Sequence, residues 1–295
     1  MKLNKGVMPL ILSIILAIGI LVVIGSINAA ECGSQDCSGS MSLVLGNSAP
    51  VITFVNITGS STVVLNGGTT KTVYVIFNVT DNNGYADINS STSNVTFSKP
   101  GETTRGSASS CVNLANTTLT SQFNCTVSLQ FYDGAGSWII NATIDDSNQS
   151  DSSATNGSIN ATVSALDYVS QDVSAVSWTS VTTGTNDQEA AAAMVLTNGG
   201  NQNYTNISIK GFDATGGSNS EVIFAENFSV DPDTGQSSGQ VYMVNDTYTD
   251  VAVLTGLTNY GASSTENVYF YVDTSSGLQP DTFTSDSSWS ILVSA

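Results

Sequence analysis

The chain has 295 residues, six Lys plus Arg against 24 Asp plus Glu, no histidine and a formal net charge of −18. That balance argues against nucleic acid and anionic lipid as partners, which carry the same sign of charge. The missing imidazole removes every Ser-His-Asp triad and every His-ligated metal. Charged residues are only 10% of the chain, so its polar surface is left to Ser, Thr, Asn and Gly, a composition of strands rather than helices.

Lys2 and Lys5 precede an uncharged apolar run from Val7 to Gly25, with small residues at Ala29 and Ala30. This is the pattern of a secretory signal peptide. At about 20 residues the run is also long enough to span a bilayer, so membrane contact through Val7 to Gly25 stays open as an uncleaved anchor. The start Lys5-Gly6-Val7-Met8-Pro9-Leu10-Ile11 resembles that of archaeal type IV pilins. The resemblance implies cleavage after Gly6 and an apolar helix that packs in a filament core. Cys32 and Cys37, directly behind the small residues, favour ordinary cleavage near Ala29 or Ala30. Every one of these readings sends the rest of the chain to the cell surface or the extracellular space.

Beyond residue 30 the chain is long enough for two compact domains. Its four cysteines form two local pairs, Cys32 with Cys37 and Cys111 with Cys125. An even count in an exported chain reads as two disulfides, with buried free thiols as the alternative. Zinc is disfavoured because no histidine exists and the spacings are not Cys-x-x-Cys. Residues 31–45 read as a disulfide-clipped linker ending in the short strand Met41-Ser42-Leu43-Val44-Leu45.

From residue 46 the hydrophobic period is two. In Lys71 to Thr80, Val73, Val75, Phe77 and Val79 share one face, and in Gln122 to Tyr132, Phe123, Cys125, Val127, Leu129 and Phe131 share one face. Such alternation over ten residues is that of a half-buried strand. Asp133-Gly134-Ala135-Gly136 then reads as the turn of a hairpin returning through Ser137 to Thr143. The pattern closes near 165 and restarts at Leu166, with strands expected at Tyr204 to Lys210, Glu221 to Phe224, Val251 to Leu254, Asn267 to Val272 and Trp289 to Val293. Ala190 to Ala193 offers at most the start of a short helix. Trp138, Trp178 and Trp289 fall within alternating strands and are expected in cores.

The stretch Asn78-Val79-Thr80-Asp81-Asn82-Asn83-Gly84-Tyr85-Ala86-Asp87, with Tyr132 to Trp138 downstream, resembles immunoglobulin-like domains of archaeal cell-surface proteins. Leu196-Thr197-Asn198-Gly199-Gly200-Asn201 and Asn206-Ile207-Ser208-Ile209 are similar to β-sandwiches of archaeal surface-layer and envelope proteins. The resemblance implies an all-β chain of two tandem immunoglobulin-like β-sandwiches, residues 46–165 and 166–295, behind an N-terminal signal or hydrophobic helix (1–30). The immunoglobulin order of Cys, Trp, Cys is absent, because Trp138 follows both Cys111 and Cys125.

Asn-x-Ser/Thr sequons start at Asn56, Asn78, Asn89, Asn94, Asn116, Asn124, Asn141, Asn148, Asn156, Asn160, Asn203, Asn206, Asn227 and Asn245. With 27 Asn and 78 Ser plus Thr in the chain, chance placement gives about 7, half of the fourteen observed. Residues i and i+2 of a strand point the same way, so Asn56, Asn78, Asn94, Asn124 and Asn160 are expected on solvent faces, with Ile57, Val79, Val95, Cys125 and Ala161 between each Asn and its Thr turned inward. Ten of the fourteen precede residue 165.

Carboxylates at Asp133, Asp145, Asp146 and Asp151 are the sole candidates for a glycosidase-type pair, and turn capping accounts for such residues more simply. Calcium is the better chemistry, because oxygen ligands abound and weak extracellular sites are filled. Asp81, Asn83 and Asp87 around Gly84 form the candidate loop, with Asp231 and Asp233 before Gly235 as a second; neither has the EF-hand spacing. No other cofactor is implied. The expected function is that of a non-catalytic extracellular structural glycoprotein, a homo-oligomer in a pilus-like filament or surface layer. The alternative is a monomeric envelope adhesin or binding module.

Overall fold

The computed structural model describes residues 41–107, 111–147, 153–235, 240–252, 257, 260–261 and 264–294, without the side chains of 153–158 and 252. The hydrophobic segment 1–30, Cys32, Cys37, Asn148 and Asp151 lie outside these residues, as does the side chain of Asn156. Among the described residues the only helices are two single 3-10 turns, and none is long and apolar enough to cross a membrane. Residues 49–295 form one compact unit that holds two hydrophobic cores.

The first core is built by β1 (Val51–Ile57), β2 (Thr62–Val63), β3 (Lys71–Thr80), β4 (Ile88–Ser98), β5 (Arg105–Gly106), β6 (Cys111–Asn116), β7 (Thr120–Leu129), β8 (Gly136–Asp146) and β9 (Ser153–Val163). One sheet has the order β1-β3-β7-β6 and the other β2-β9-β8-β4-β5. All pairs are antiparallel except β2 with β9. The inward faces are the ones the alternation gives: Val73, Val75, Phe77 and Val79 of β3 and Phe123, Cys125, Val127 and Leu129 of β7 meet Val95 and Phe97 of β4 and Trp138, Ile140, Ala142 and Ile144 of β8. Phe77 and Phe123 stack with ring centroids 5.1 Å apart. Two sheets closed over one apolar layer are consistent with a β-sandwich.

The turn at 133–136 corrects the expected hairpin. β7 ends at Leu129, in one sheet, and β8 lies in the other, so the connection crosses between sheets. Asp133 is fully buried and explains the crossing. It accepts from the Gln130 backbone N–H at 2.8 Å, which closes a turn, and from Arg105 of β5 at 3.0 and 2.6 Å, which draws that turn towards the second sheet. Phe131 is therefore past the strand end and half-buried.

Cys111 and Cys125 are bonded and stand directly opposite each other on the neighbouring strands β6 and β7. The bridge therefore closes a loop within one sheet and does not link the two. Its partner pair lies outside the described residues.

The second core is built by β10 (Val169–Gln171), β11 (Gln188–Glu189), β12 (Met194–Asn198), β13 (Asn206–Gly211), β14 (Ala214–Gly216), β15 (Val222–Ile223), β16 (Phe228–Asp231), β17 (Val241–Tyr242), β18 (Thr247–Ala252), β19 (Thr265–Val272), β20 (Phe283–Ser285) and β21 (Ser290–Ser294). A sheet ordered β10-β12-β19-β16-β17, with β11 also on β19, accompanies the three-stranded sheets β18-β13-β21 and β15-β14-β20. Trp289 touches both Phe228 and Phe270, with centroids 5.5 and 5.8 Å away, and Trp178 meets Phe228 at 5.6 Å. The expected strand at Glu221 to Phe224 shrinks to Val222–Ile223, the one expected at Val251 is the end of β18, and 190–193 is irregular chain rather than helix.

A polar clasp joins the two cores. Asn201 is buried, and its Nδ2 donates to the carbonyls of Asp133 and Ser164, both at 3.0 Å. Its Oδ1 accepts from the Leu166 N–H at 2.7 Å. Beside it the Gly68 N–H donates to the Gly199 carbonyl at 2.9 Å. The Tyr168 ring lies against both strands of chain, so a Cβ on Gly67 or Gly199 would run into it. Only residues without side chains permit this close approach.

Two outcomes follow from these contacts. Replacing both Cys111 and Cys125 by Ser, which reopens a loop with a sequence separation of 14, lowers unfolding stability by about 3 kcal/mol in urea titration. Asn201→Ala strands buried backbone groups and costs about 1–3 kcal/mol, with faster proteolysis between residues 164 and 168; unchanged stability and proteolysis would remove the clasp from the account.

Candidate functional site

Pairing places the sequon asparagines of the first core on both of its outer faces. On the β1-β3-β7-β6 sheet, Asn56, Ile76, Asn124 and Val112 form one cross-strand row, and Phe54, Asn78 and Gln122 form another. On the opposite sheet Asn141 stands beside Thr96, Asn94 beside Thr143, and Asn160 beside Ile139. Ile57, Val79, Val95, Cys125 and Ala161 are all buried, so the five asparagines derived from alternation do flank core residues. Among the described side chains no sequon Asn is buried; Asn56, Asn116, Asn160, Asn203, Asn206 and Asn245 are exposed, and Asn78, Asn89, Asn94, Asn124, Asn141 and Asn227 are half-buried.

Glycan attachment uses Nδ2, and several sites leave that atom clear by binding Oδ1 instead. Asn78 Oδ1 accepts from Gln122 Nε2 at 3.0 Å, Asn94 Oδ1 from Ser107 at 2.9 Å, and Asn89 Oδ1 from the hydroxyl of Ser91, the third residue of its own sequon, at 2.6 Å. Three sites are obstructed; in one of them the Ser208 hydroxyl of the Asn206 sequon is buried and donates to Asp250 Oδ1. Asn245 Nδ2 donates to Asp213 Oδ2 at 3.1 Å, and the Ser229 hydroxyl of the Asn227 sequon is buried and engaged by Gln240 at 2.8 Å.

An acidic cluster sits at one pole of the first core. A carboxylate oxygen from each of Asp81, Asp87 and Asp146 lies within 4.8 Å of the others. Asp81 directly follows β3, Asp87 precedes β4, and Asp146 ends β8. Gly84, at φ 108°, folds the intervening loop back, with the Gly84 N–H donating to the Asp81 carbonyl at 3.2 Å and the Asp87 N–H to the Gly84 carbonyl at 3.0 Å. Burial, and then the charges of Asp146 and Asp81, push the Asp87 carboxyl above its ordinary range. Asn83, the third residue of the expected calcium loop, has an exposed side chain, and its backbone N–H donates to Asp81 Oδ1 at 2.7 Å. Asp146 joins Asp81 and Asp87 as the third carboxylate of the cluster. It was legible in the sequence only as a carboxylate, because nothing in its spacing announces that β8 ends beside a loop some sixty positions earlier. In the second candidate loop the Asp233 N–H donates to Asp231 Oδ1 at 2.9 Å, an Asx-turn.

At the opposite pole, beside the clasp, a cleft of about 460 Å³ is lined by Gly101, Glu102, Thr103, Arg105, Tyr132, Asn203 and Tyr260. Its charged groups are occupied by the protein itself. Arg105 holds Asp133, and Glu102 lies 3.7 Å from Lys99 and accepts from the Tyr260 hydroxyl at 2.9 Å. Burial and the bond to Glu102 raise the pKa of that hydroxyl. Asp133 is thus structural, and Asp145 lies at the far end of β8 from it, so these two do not form an acid–base pair across a cleft. Compared with known protein families and with curated proteins, the chain matches none.

If sugar is attached to the folded chain, Asn56 and Asn160 carry it in most copies, and Asn227 and Asn245 in few. Glycopeptide mass spectrometry of native material measures this, and even occupancy at all four would show that the fold does not select the sites.

Proposed function

We propose that this is a non-catalytic extracellular structural glycoprotein that assembles with copies of itself into a surface filament or layer. The observation that carries this reading is the arrangement of sequons: both outer faces of the first core present asparagines, and at Asn56, Asn78, Asn94, Asn124, Asn141 and Asn160 the residue between the Asn and its Thr builds that core. The strand orders β1-β3-β7-β6 and β2-β9-β8-β4-β5 support an immunoglobulin-like first sandwich, since they correspond to the A-B-E-D and G-F-C arrangement of that fold. The disulfide between neighbouring strands and Trp138 on β8 depart from it. A second core in tandem, held by the Asn201 clasp, suits a load-bearing subunit.

Self-assembly is supported by residues 41–45. Met41, Leu43, Val44 and Leu45 are 92%, 63%, 86% and 78% exposed and form no strand. Extended apolar chain of this kind is suited to adding a strand to the sheet edge of another copy, and the pilin-like segment before it offers a second route, through a helical filament core.

Sedimentation and negative-stain imaging of the native surface fraction test the proposal. A polymer or tiled sheet that loses its order when Leu43 and Leu45 are replaced by Ser supports strand addition, and a polymer indifferent to that change supports assembly through the hydrophobic helix. A protein that stays monomeric at the envelope or in the medium contradicts assembly and leaves the adhesin reading.

A further inference from the structure

Asp81, Asp87 and Asp146 concentrate three carboxylates, and the described Lys and Arg residues are placed elsewhere in the fold. The chain has six Lys and Arg residues: Lys2, Lys5, Lys71, Lys99, Arg105 and Lys210. Lys2 and Lys5 lie outside the described residues. Lys71 begins β3 and pairs with Leu129, whereas Asp81 follows the other end of that strand, about 30 Å away at ~3.3 Å per residue. Lys99 and Arg105 lie at the far end of β4 and hold Glu102 and Asp133; Lys210 belongs to the second core and holds Asp246 at 3.0 Å.

A second observation is independent of the charge count. Asp81 is 1% exposed, and although its Oδ1 takes the Asn83 N–H, its Oδ2 is buried with no hydrogen-bond partner. A buried carboxylate oxygen without donor or counter-ion is costly, and cations are the usual partners of such groups. Oxygen ligands within 4.8 Å of one another fit around one calcium ion, whose ligands stand about 2.4 Å from the metal; magnesium asks for a tighter octahedron at about 2.1 Å.

We propose that Asp81, Asp87 and Asp146 bind one calcium ion at this pole of the first core. The ion completes the buried Oδ2 of Asp81 and staples the connection between β3 and β4 to the end of β8. The Ser147 N–H already donates to the Asp87 carbonyl at 2.6 Å, so the two segments are held together before the ion arrives. Val51 pairs with Thr80, the residue before Asp81, so the chain also enters the first core beside the ion. The proposal stands whether or not the chain assembles.

The test uses the full chain, freed of metal with EDTA and titrated with calcium chloride in a calorimeter, with thermal unfolding followed in parallel. One binding event per chain with a Kd of about 0.1–1 mM, the range of extracellular modules, and a rise in Tm with calcium are expected. Asp146→Asn weakens binding at least ~tenfold, as removing one of three charged ligands should, and abolishes the Tm rise. Should that variant not fold, Asp87→Asn, at the less buried ligand, is expected to do the same. An identical Tm in calcium and EDTA with no binding heat overturns the proposal, as does a calcium response that survives both substitutions. Binding of magnesium in preference to calcium overturns the assignment of the metal. A parent chain that shows no calcium response and is stabilised in EDTA by Asp146→Asn would mean that a shared proton, and not a cation, relieves the cluster.

Discussion

Scarcity of positive charge is the constraint on which the rest of this structure depends. Beyond Lys5 the chain has only Lys71, Lys99, Arg105 and Lys210 to set against its acids, so ion pairs cannot organise it. Amides and hydroxyls take over. Asn201 joins the two cores through hydrogen bonds to Asp133, Ser164 and Leu166, where a charged residue would have needed a partner that the sequence does not provide. Among the described residues the deeply placed ion pair is Arg105 with Asp133, and it serves to carry the chain between sheets. A buried carboxylate paired and hydrogen-bonded in this way is strongly destabilising to break, which suits it to fixing topology.

The same composition sets the surface. Strands that hydrate their outer faces with Asn and Thr at alternate positions write Asn-x-Thr into the sequence as a matter of geometry. Asn78-Val79-Thr80 and Asn124-Cys125-Thr126 lie on neighbouring strands of one face, so sugar on either would cover the intervening Ile76 and Gln122. If sugar coats both faces of the first core, as the proposed function requires, the surfaces left for self-association are strand edges, poles and the exposed apolar residues 41–45. The proposed cation pole and the junction cleft lie at opposite ends of that core.

What the sequence made legible, and what it did not, follows from range. Inward Val73 to Val79 and Phe123 to Leu129 could be read because their period is local and each strand is long. The crossing at Asp133 could not, since a hairpin turn and a sheet-to-sheet turn look alike until the distant Arg105 is placed. Asp146 escaped the expected calcium loop for the same reason. Asn198-Gly199-Gly200-Asn201 was visible as a turn, yet its role as the clasp depends on Tyr168 and Gly68 arriving from elsewhere. In the second core the strands are shorter and interrupted by glycines such as Gly211, Gly216 and Gly217, so their bounds shifted, as where Glu221 to Phe224 shrinks to Val222–Ile223 and the strand expected from Val251 begins at Thr247. The Cys111–Cys125 bridge was readable from the even count of cysteines behind an export signal and from their local pairing; that it joins neighbouring strands needed the structure.

The central claim is that the chain works outside the cell as a sugar-coated structural subunit. Intact-mass and N-terminal analysis of the native protein tests it most directly. The account predicts a mature chain beginning after Gly6 or near Ala29 or Ala30, four cysteines oxidised, and a mass exceeding that of the polypeptide by several glycans. A chain that retains Met1, with reduced cysteines and the bare polypeptide mass, would contradict it.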